Sequence, residues 1–297
     1  MRFATLLLLI PTLILAEDPP VAVLQWGTQG SGPGQFQDPW EVAVDDAGAV
    51  YVADNRNGRL QKFTADGTFV TEFGAFATGT YEPVFSVALD DSGRVLAGEH
   101  NTGMVQTFST DGTFLFQWPV SAGRIPSGLA VGNDGSVFVA SQVGSEILKY
   151  TSAGSLITSW STGSVAPSGI TVNASGDLYV SASTVVQKYA PDGSFIAQYG
   201  MAGTGDGQFT AATDVAVDAN GDLIVTDWFN DRVQKLRSDG LYLSQWPLVS
   251  CSGVAVGPSG EIIVAHRHEI VRYEYVSPVR QRSWGRVKAS YRQGARR

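Results

Sequence analysis

The sequence predicts an all-β fold, a six-bladed β-propeller with four antiparallel strands in each blade. Three observations carry this. A module of roughly forty residues returns six times, and internal repetition at such a period marks stacked or radial repeat architectures. Each module holds four short runs of alternating or β-branched apolar residues, the pattern of half-buried strands. Two tight turns recur in the modules, and glycine in them supplies the positive φ that hairpins require. A single four-stranded sheet cannot bury both of its faces, so six of them stacked around an axis close into a ring.

Taken in order, residues 1–16 (MRFATLLLLIPTLILA) carry a basic Arg2, a short apolar stretch and a small Ala16 before acidic Glu17 and Asp18. This is the pattern of a cleaved export leader. Interrupted by Pro11, it is shorter than the roughly 20 residues of a membrane span, so no transmembrane segment is expected. Residues 21–27 (VAVLQWG) match the segments that end the other modules, TFVTEFG, TFLFQW, SFIAQYG and LYLSQW. The last module stops after VRYEY without a fourth run, so the segment at 21–27 is expected to complete its sheet and close the ring from the opposite end of the chain.

The first full module, PWEVAVDDAGAVYVADNRNGRLQKFTADGTFVTEFG, begins at Pro39, and the later ones open at Val84, Pro126, Pro167, Ala212 and Cys251. Their first turns read DDAG, DDSG, NDG, ASG, DANG and PSG, and a second turn, ADGT, TDGT, SAGS, PDGS or SDGL, repeats the device between the third and fourth runs. The pattern of the first module resembles the NHL repeat, known for six-bladed propellers, most clearly in ADNRNGRLQKF and TDWFNDRVQKL. The resemblance spans residues 21–275 and implies architecture. NHL propellers bind proteins or RNA, and six-bladed relatives include metal-dependent lactonases and an amidating lyase, so the fold leaves function open.

Composition and charge narrow the choice. Residues 17–276 hold 28 acidic and 12 basic side chains, and an acidic ring repels phosphates, so nucleic acid is not expected as a partner. Residues 277–297 hold seven basic side chains and no acid, a separate tail that could contact a membrane or sorting machinery. The single cysteine, Cys251, cannot form an intrachain disulfide and reads as a small buried residue. The domain organisation is therefore a leader at 1–16, a propeller at 21–276 and a basic tail at 277–297, in a monomer that is secreted, periplasmic or held at the cell surface.

In a propeller, chemistry is sought where the innermost strands start and the second strands end, around one mouth of the channel. The first ring of positions holds Glu41, Ser86, Gly128, Gly169, Asp214 and Gly253, and the second Asp54, Glu99, Ser141, Ala182, Asp227 and His266. Asp54 and Asp227 each precede an arginine by five residues, Arg59 and Arg232, and read as structural ion pairs. Glu41, Glu99, His100, Asp214 and His266 are the candidate metal ligands, since carboxylates with neutral imidazole suit a divalent cation such as Ca²⁺ or Zn²⁺. Arg56, Asn57, Trp228, Phe229, Arg267 and His268 stand on turns of the same face, and aromatic and arginine side chains are the usual anchors of a binding surface. Trp118, Trp160, Tyr199 and Trp246, at the ends of fourth strands, read as blade packing. No residue is assigned a catalytic role, and no nucleotide, hydrolase or zinc-protease motif occurs. The expected function is a secreted binding or scaffold propeller that recognises an extracellular protein or glycan. The alternative is a metal-dependent lactonase-like or lyase-like enzyme.

Overall fold

The computed structural model describes residues 17–74 and 84–275, and within them every predicted blade forms. Blade one is Pro39–Val44, Val50–Asp54, Arg59–Phe63 and Phe69–Phe73, hydrogen-bonded in that order. Blades two to five repeat this order, starting at Val84–Leu89, Gly128–Val131, Pro167–Val172 and Ala212–Val217. Blade six consists of Cys251–Val256, Ile262–His266 and Glu269–Glu274, and its outer strand is Val21–Trp26, paired antiparallel with Glu269–Glu274. The predicted closure by the two ends of the propeller is thus present, and it leaves the last blade with no open edge to its third strand.

The core is divided among the seams. Six apolar clusters form, one between each pair of neighbouring blades; that between blades six and one, for example, joins Ile263, Ala265 and Ile270 to Phe36, Val42, Val52 and Phe63. Each blade buries one face against the next, which is why the alternating pattern persists through all six. The second turns also lock the seams. A side-chain carbon on Gly67, Gly112, Gly154, Gly193 or Gly240 would lie 2.9 Å or less from Trp26, Phe73, Trp118, Trp160 or Tyr199, the aromatic residue that ends the preceding blade. Glycine is needed there both for its positive φ and for the ring packed against it.

The first strands pack against one another around the axis. In five blades the pairing of first and second strands slips by a residue at the start, between Pro39 and Val42 in blade one and between Ala212 and Asp214 in blade five. Such bulges re-aim side chains, and here they turn the ring positions Glu41 and Asp214 towards the channel. The leader at 1–16 and the basic tail at 277–297 lie outside the described residues. Among those described, no helix is long and apolar enough to cross a membrane.

Candidate functional site

The mouth of the channel is built from two kinds of segment, the starts of first strands and the turns after second strands. Trp40, just after Pro39, is half-buried, and its ring centroid lies 4.8 Å from that of Phe85 and 5.4 Å from that of Trp228. Phe85 in turn stacks on His100 at 4.7 Å. Phe229, beside Trp228 on the turn at Trp228–Asn230, is 72% exposed. Trp40, Trp228 and Phe229 border a cavity of 360 Å³ whose other walls include Ser168, Thr213, Gln142 and Ser183. Its lining combines three aromatic rings with hydroxyl and amide side chains.

Below it the channel narrows at Trp40, Glu41, Ser127, Ser168, Gly169, Thr213 and Asp214, and then opens into a 300 Å³ space lined by the six innermost strands. Glu41 and Asp214 border both spaces. Asp214 accepts hydrogen bonds from the backbone N–H of Val215 at 2.7 Å and of Val254 at 2.8 Å, and Glu41 from that of Val87 at 3.2 Å. Burial pushes the Asp214 carboxyl up to about 7, with the two N–H donors opposing. Burial likewise raises Glu41 well above the usual range, and the nearby charge of Asp214 raises it further. The glycines of the same ring are explained by closeness. A side-chain carbon on Gly169 would lie 2.0 Å from an Asp214 oxygen, and one on Gly253 would lie 2.5 Å from the Glu41 Cα.

The other predicted metal ligands are placed elsewhere. Glu99 is buried in its own turn, where it accepts from Thr102 Oγ1 at 2.7 Å. His266 presents its two ring nitrogens to the Val249 carbonyl at 3.0 Å and to Glu269 at 3.2 Å. Of the five, Glu41 and Asp214 come together at the channel constriction. Among the described residues no group of three or more His, Cys, Asp or Glu side chains could hold a metal ion.

Of the predicted ligand contacts, Trp228 and Phe229 border the mouth cavity. Arg56 is exposed and paired with Asp38 at 2.7 Å. Arg267 sits with φ 49° in the tight turn of blade six, and His268 beside it has its Nδ1 buried without a partner among the described residues. The Asn57 amide donates to the Gly30 carbonyl at 2.9 Å and to Asp54 at 2.8 Å. It holds a loop. Asp54 and Asp227 of the second ring are completely buried and paired with Arg59 at 2.9 Å and Arg232 at 3.3 Å, the structural ion pairs expected from their spacing. Asp54 accepts from the Gln37 N–H at 2.8 Å, Arg59 Nε at 2.9 Å and Gln61 Nε2 at 3.0 Å, while Arg59 reaches the carbonyls of Gly32 and Gln35. Asp227, Arg232 and the carbonyls of Gly205 and Gln208 repeat this in blade five.

Asp54, Asn57, Arg59 and Gln61 fall within the segment matched by the family model for the NHL repeat, which covers residues 36–63. The first three strands of blade one thus match the NHL repeat. The chain's relatives in sequence are similar over short stretches only. The chain is 44% identical to protein lin-41 of Caenorhabditis elegans over 50 residues, which is 17% of this chain and 4% of lin-41. It is 45% identical to the E3 ubiquitin-protein ligase TRIM71 of Rattus norvegicus over 47 residues, 16% of this chain and 6% of that protein. Solved structures match far more of the chain. A virginiamycin B lyase from Staphylococcus aureus aligns with TM-score 0.62 and 16% identity over 84% of this chain and 83% of its own. A streptogramin B lyase gives 0.65 and 13% over 84% and 96%, and a gluconolactonase from Xanthomonas campestris 0.63 and 16% over 86% and 98%. Identities this low establish the shared propeller and nothing of the chemistry.

Around the channel mouth, the residues that sequence reasoning missed are Trp40 and Phe85. The position they occupy is Ser127, Ser168, Thr213 and Ser252 in blades three to six. Read as a column, two large aromatic residues where the other four blades carry a small hydroxyl would have pointed to one side of the mouth.

Proposed function

We propose that this protein is exported and that it binds a partner protein outside the cell, with an apolar or aromatic side chain of the partner seated against Trp40, Trp228 and Phe229. The observation that carries this is the 72% exposure of Phe229 beside the Trp40–Trp228 pair, at a preformed 360 Å³ cavity that also has hydroxyl and amide groups in its lining. An aromatic cluster of this kind at a rigid mouth is where interface energy concentrates, because burying it removes a large apolar area from water with little side-chain ordering. The acidic charge of the ring favours a partner segment that is neutral or basic.

The test is selection of peptides displayed on phage against the purified protein, followed by titration of each binder on the parent, Trp40→Ser and Phe229→Ser. Trp40→Ser installs the residue that blades three and four already carry at this position. Binders that lose about 100-fold or more in affinity on both variants support the reading, a loss of about 3 kcal/mol that is ordinary for an aromatic hot spot. Binders indifferent to both variants would sink it, and capture of oligosaccharides but no peptide would replace the partner with a glycan.

A second reading, a channel-mouth enzyme, is favoured by one observation: Asp214 at about 7 beside Glu41, directly under the mouth. The likeness in fold to lyases and a gluconolactonase is consistent with it. The pair is a poor seat for Ca²⁺ or Zn²⁺, since both carboxyls are already engaged by backbone N–H groups and held towards the neutral form. Metal analysis with thermal unfolding in Ca²⁺, Zn²⁺ and chelator decides this point. Stoichiometric metal, or a melting temperature raised by one ion and reversed by chelator, would move the assignment to the enzyme.

A further inference from the structure

The seam between blades five and six is built differently from the others. In three blades a basic side chain of the third strand reaches across the seam to a carbonyl in the second turn of the next blade. Lys62 donates to Thr110 O at 3.0 Å, Lys149 to Pro191 O at 3.4 Å and Arg272 to Ala65 O at 3.0 Å. The same turn carries the glycine that packs on the preceding blade's last aromatic residue. Blade six has no such turn, because its fourth strand comes from the other end of the propeller. Lys235, the counterpart in blade five, therefore has no turn carbonyl to reach, and it is 3% exposed.

The place of the turn is taken by the two ends of the described chain. Glu17 presents its carboxylate to Lys235 Nζ at 2.9 Å, joining Asp218 and Asp222 of blade five at 3.2 Å each, and the Tyr275 ring lies 4.9 Å from the same nitrogen. The backbone N–H of Glu17 donates to the Leu243 carbonyl at 3.1 Å, on the outer strand of blade five. Leu243 is 4% exposed, whereas its counterparts Val70, Leu115, Ile157 and Ile196 in blades one to four are 45–54% exposed. Glu17 is also the residue that follows the small Ala16 at the end of the leader-like segment, a position reached from sequence alone.

We propose that the chain is cut between Ala16 and Glu17 and that Glu17, as the new amino terminus, closes the seam that lacks a hairpin turn. The reaction is hydrolysis of one amide by a leader peptidase: water adds to the Ala16 carbonyl, the C–N bond breaks, and Ala16 leaves as a carboxylate while Glu17 keeps an α-ammonium. That ammonium retains the hydrogen bond to Leu243 O, and the γ-carboxylate retains Lys235. Cutting further in, for instance before Val21, removes both contacts. The inference rests on the export part of the proposed function and is independent of what the mouth binds.

Two measurements test it. The full chain is exported from a secretory host and its intact mass recorded, and thermal unfolding is compared for chains starting at Glu17, starting at Val21, and carrying Glu17→Gln, Lys235→Met or both. The expected product begins at Glu17. Glu17→Gln lowers the melting temperature by about 2 °C, the chain starting at Val21 melts lower still, and Glu17→Gln adds nothing once Lys235→Met is present. An exported product that begins elsewhere, or Glu17→Gln and Val21-start chains that melt with the parent, would overturn it. Peptide binding at the mouth unchanged in Glu17→Gln keeps failure here separate from failure of the binding assignment.

Discussion

Replacing Asp214 with asparagine gives the sharpest test of the buried carboxyl pair. The side chain is fully inside the channel wall, and moving a carboxyl from its ordinary 3.8 to about 7 corresponds, at 1.36 kcal/mol per pH unit, to about 4 kcal/mol once it is ionised. The folded protein holds this proton more tightly than the unfolded chain. Its contribution to stability is therefore fully present below about pH 4, is lost as the pH rises through 7, and is constant above that. Asparagine keeps a carbonyl oxygen for the N–H of Val215 or Val254 but carries no charge. Below about pH 4 the two proteins should differ little, and by pH 5, where the unfolded chain is ionised but the folded carboxyl still mostly neutral, Asp214→Asn should already lead by about 2 kcal/mol. At pH 8 Asp214→Asn should be the more stable, by up to about 4 kcal/mol or roughly 8 °C in melting temperature. Glu41 also relaxes in the variant, because the charge that helps to raise it is gone, and Asp214→Asn with Glu41→Gln should be flatter still. The assay is thermal unfolding by circular dichroism at half-unit steps from pH 4.5 to 8.5. Parent and variant curves that fall in parallel would refute the reasoning, since the dependence would then come from other groups.

Two further outcomes follow from the packing. Arg59→Met should cost about 3–5 kcal/mol in urea unfolding, because it leaves Asp54 buried without its cation and frees the Gly32 and Gln35 carbonyls, whereas Arg56→Met, at an exposed pair, should cost less than about 1 kcal/mol. Gly169→Ala should destabilise by about 1–3 kcal/mol although alanine is small, because the added carbon meets an Asp214 oxygen at 2.0 Å and its Cα at 2.8 Å; a variant as stable as the parent in the same assay would contradict the tight inner ring.

Much of the site was only half legible in the sequence. Asp54 and Asp227 were readable as structural because their arginines stand at a fixed spacing on the next strand, and local spacing survives folding. Asn57 was not, since its partners Gly30 and Asp54 include a loop 27 residues away that the repeat pattern does not describe. Glu41 and Asp214 were correctly picked as ring positions, yet what sets their chemistry, enclosure by the first strands of neighbouring blades, is a property of the closed ring. His100 was picked for its chemistry, and the structure stacks it on Phe85 at the aromatic side of the mouth.

The chain by itself determined the blade count, the four strands of each blade, the turn glycines and the closure by residues 21–27. These depend on period, alternation and turn chemistry, which are local and repeated six times over, so that errors at one copy are corrected by the others. Only the tertiary structure decided where the blades meet. It set Trp40 against Trp228 across nearly two hundred residues, buried Asp214 beside Glu41, and left the fifth seam without a turn for Glu17 to fill. Contacts of that kind join blade to blade, and a repeating sequence carries no local mark of which side chains will face each other once the ring is closed.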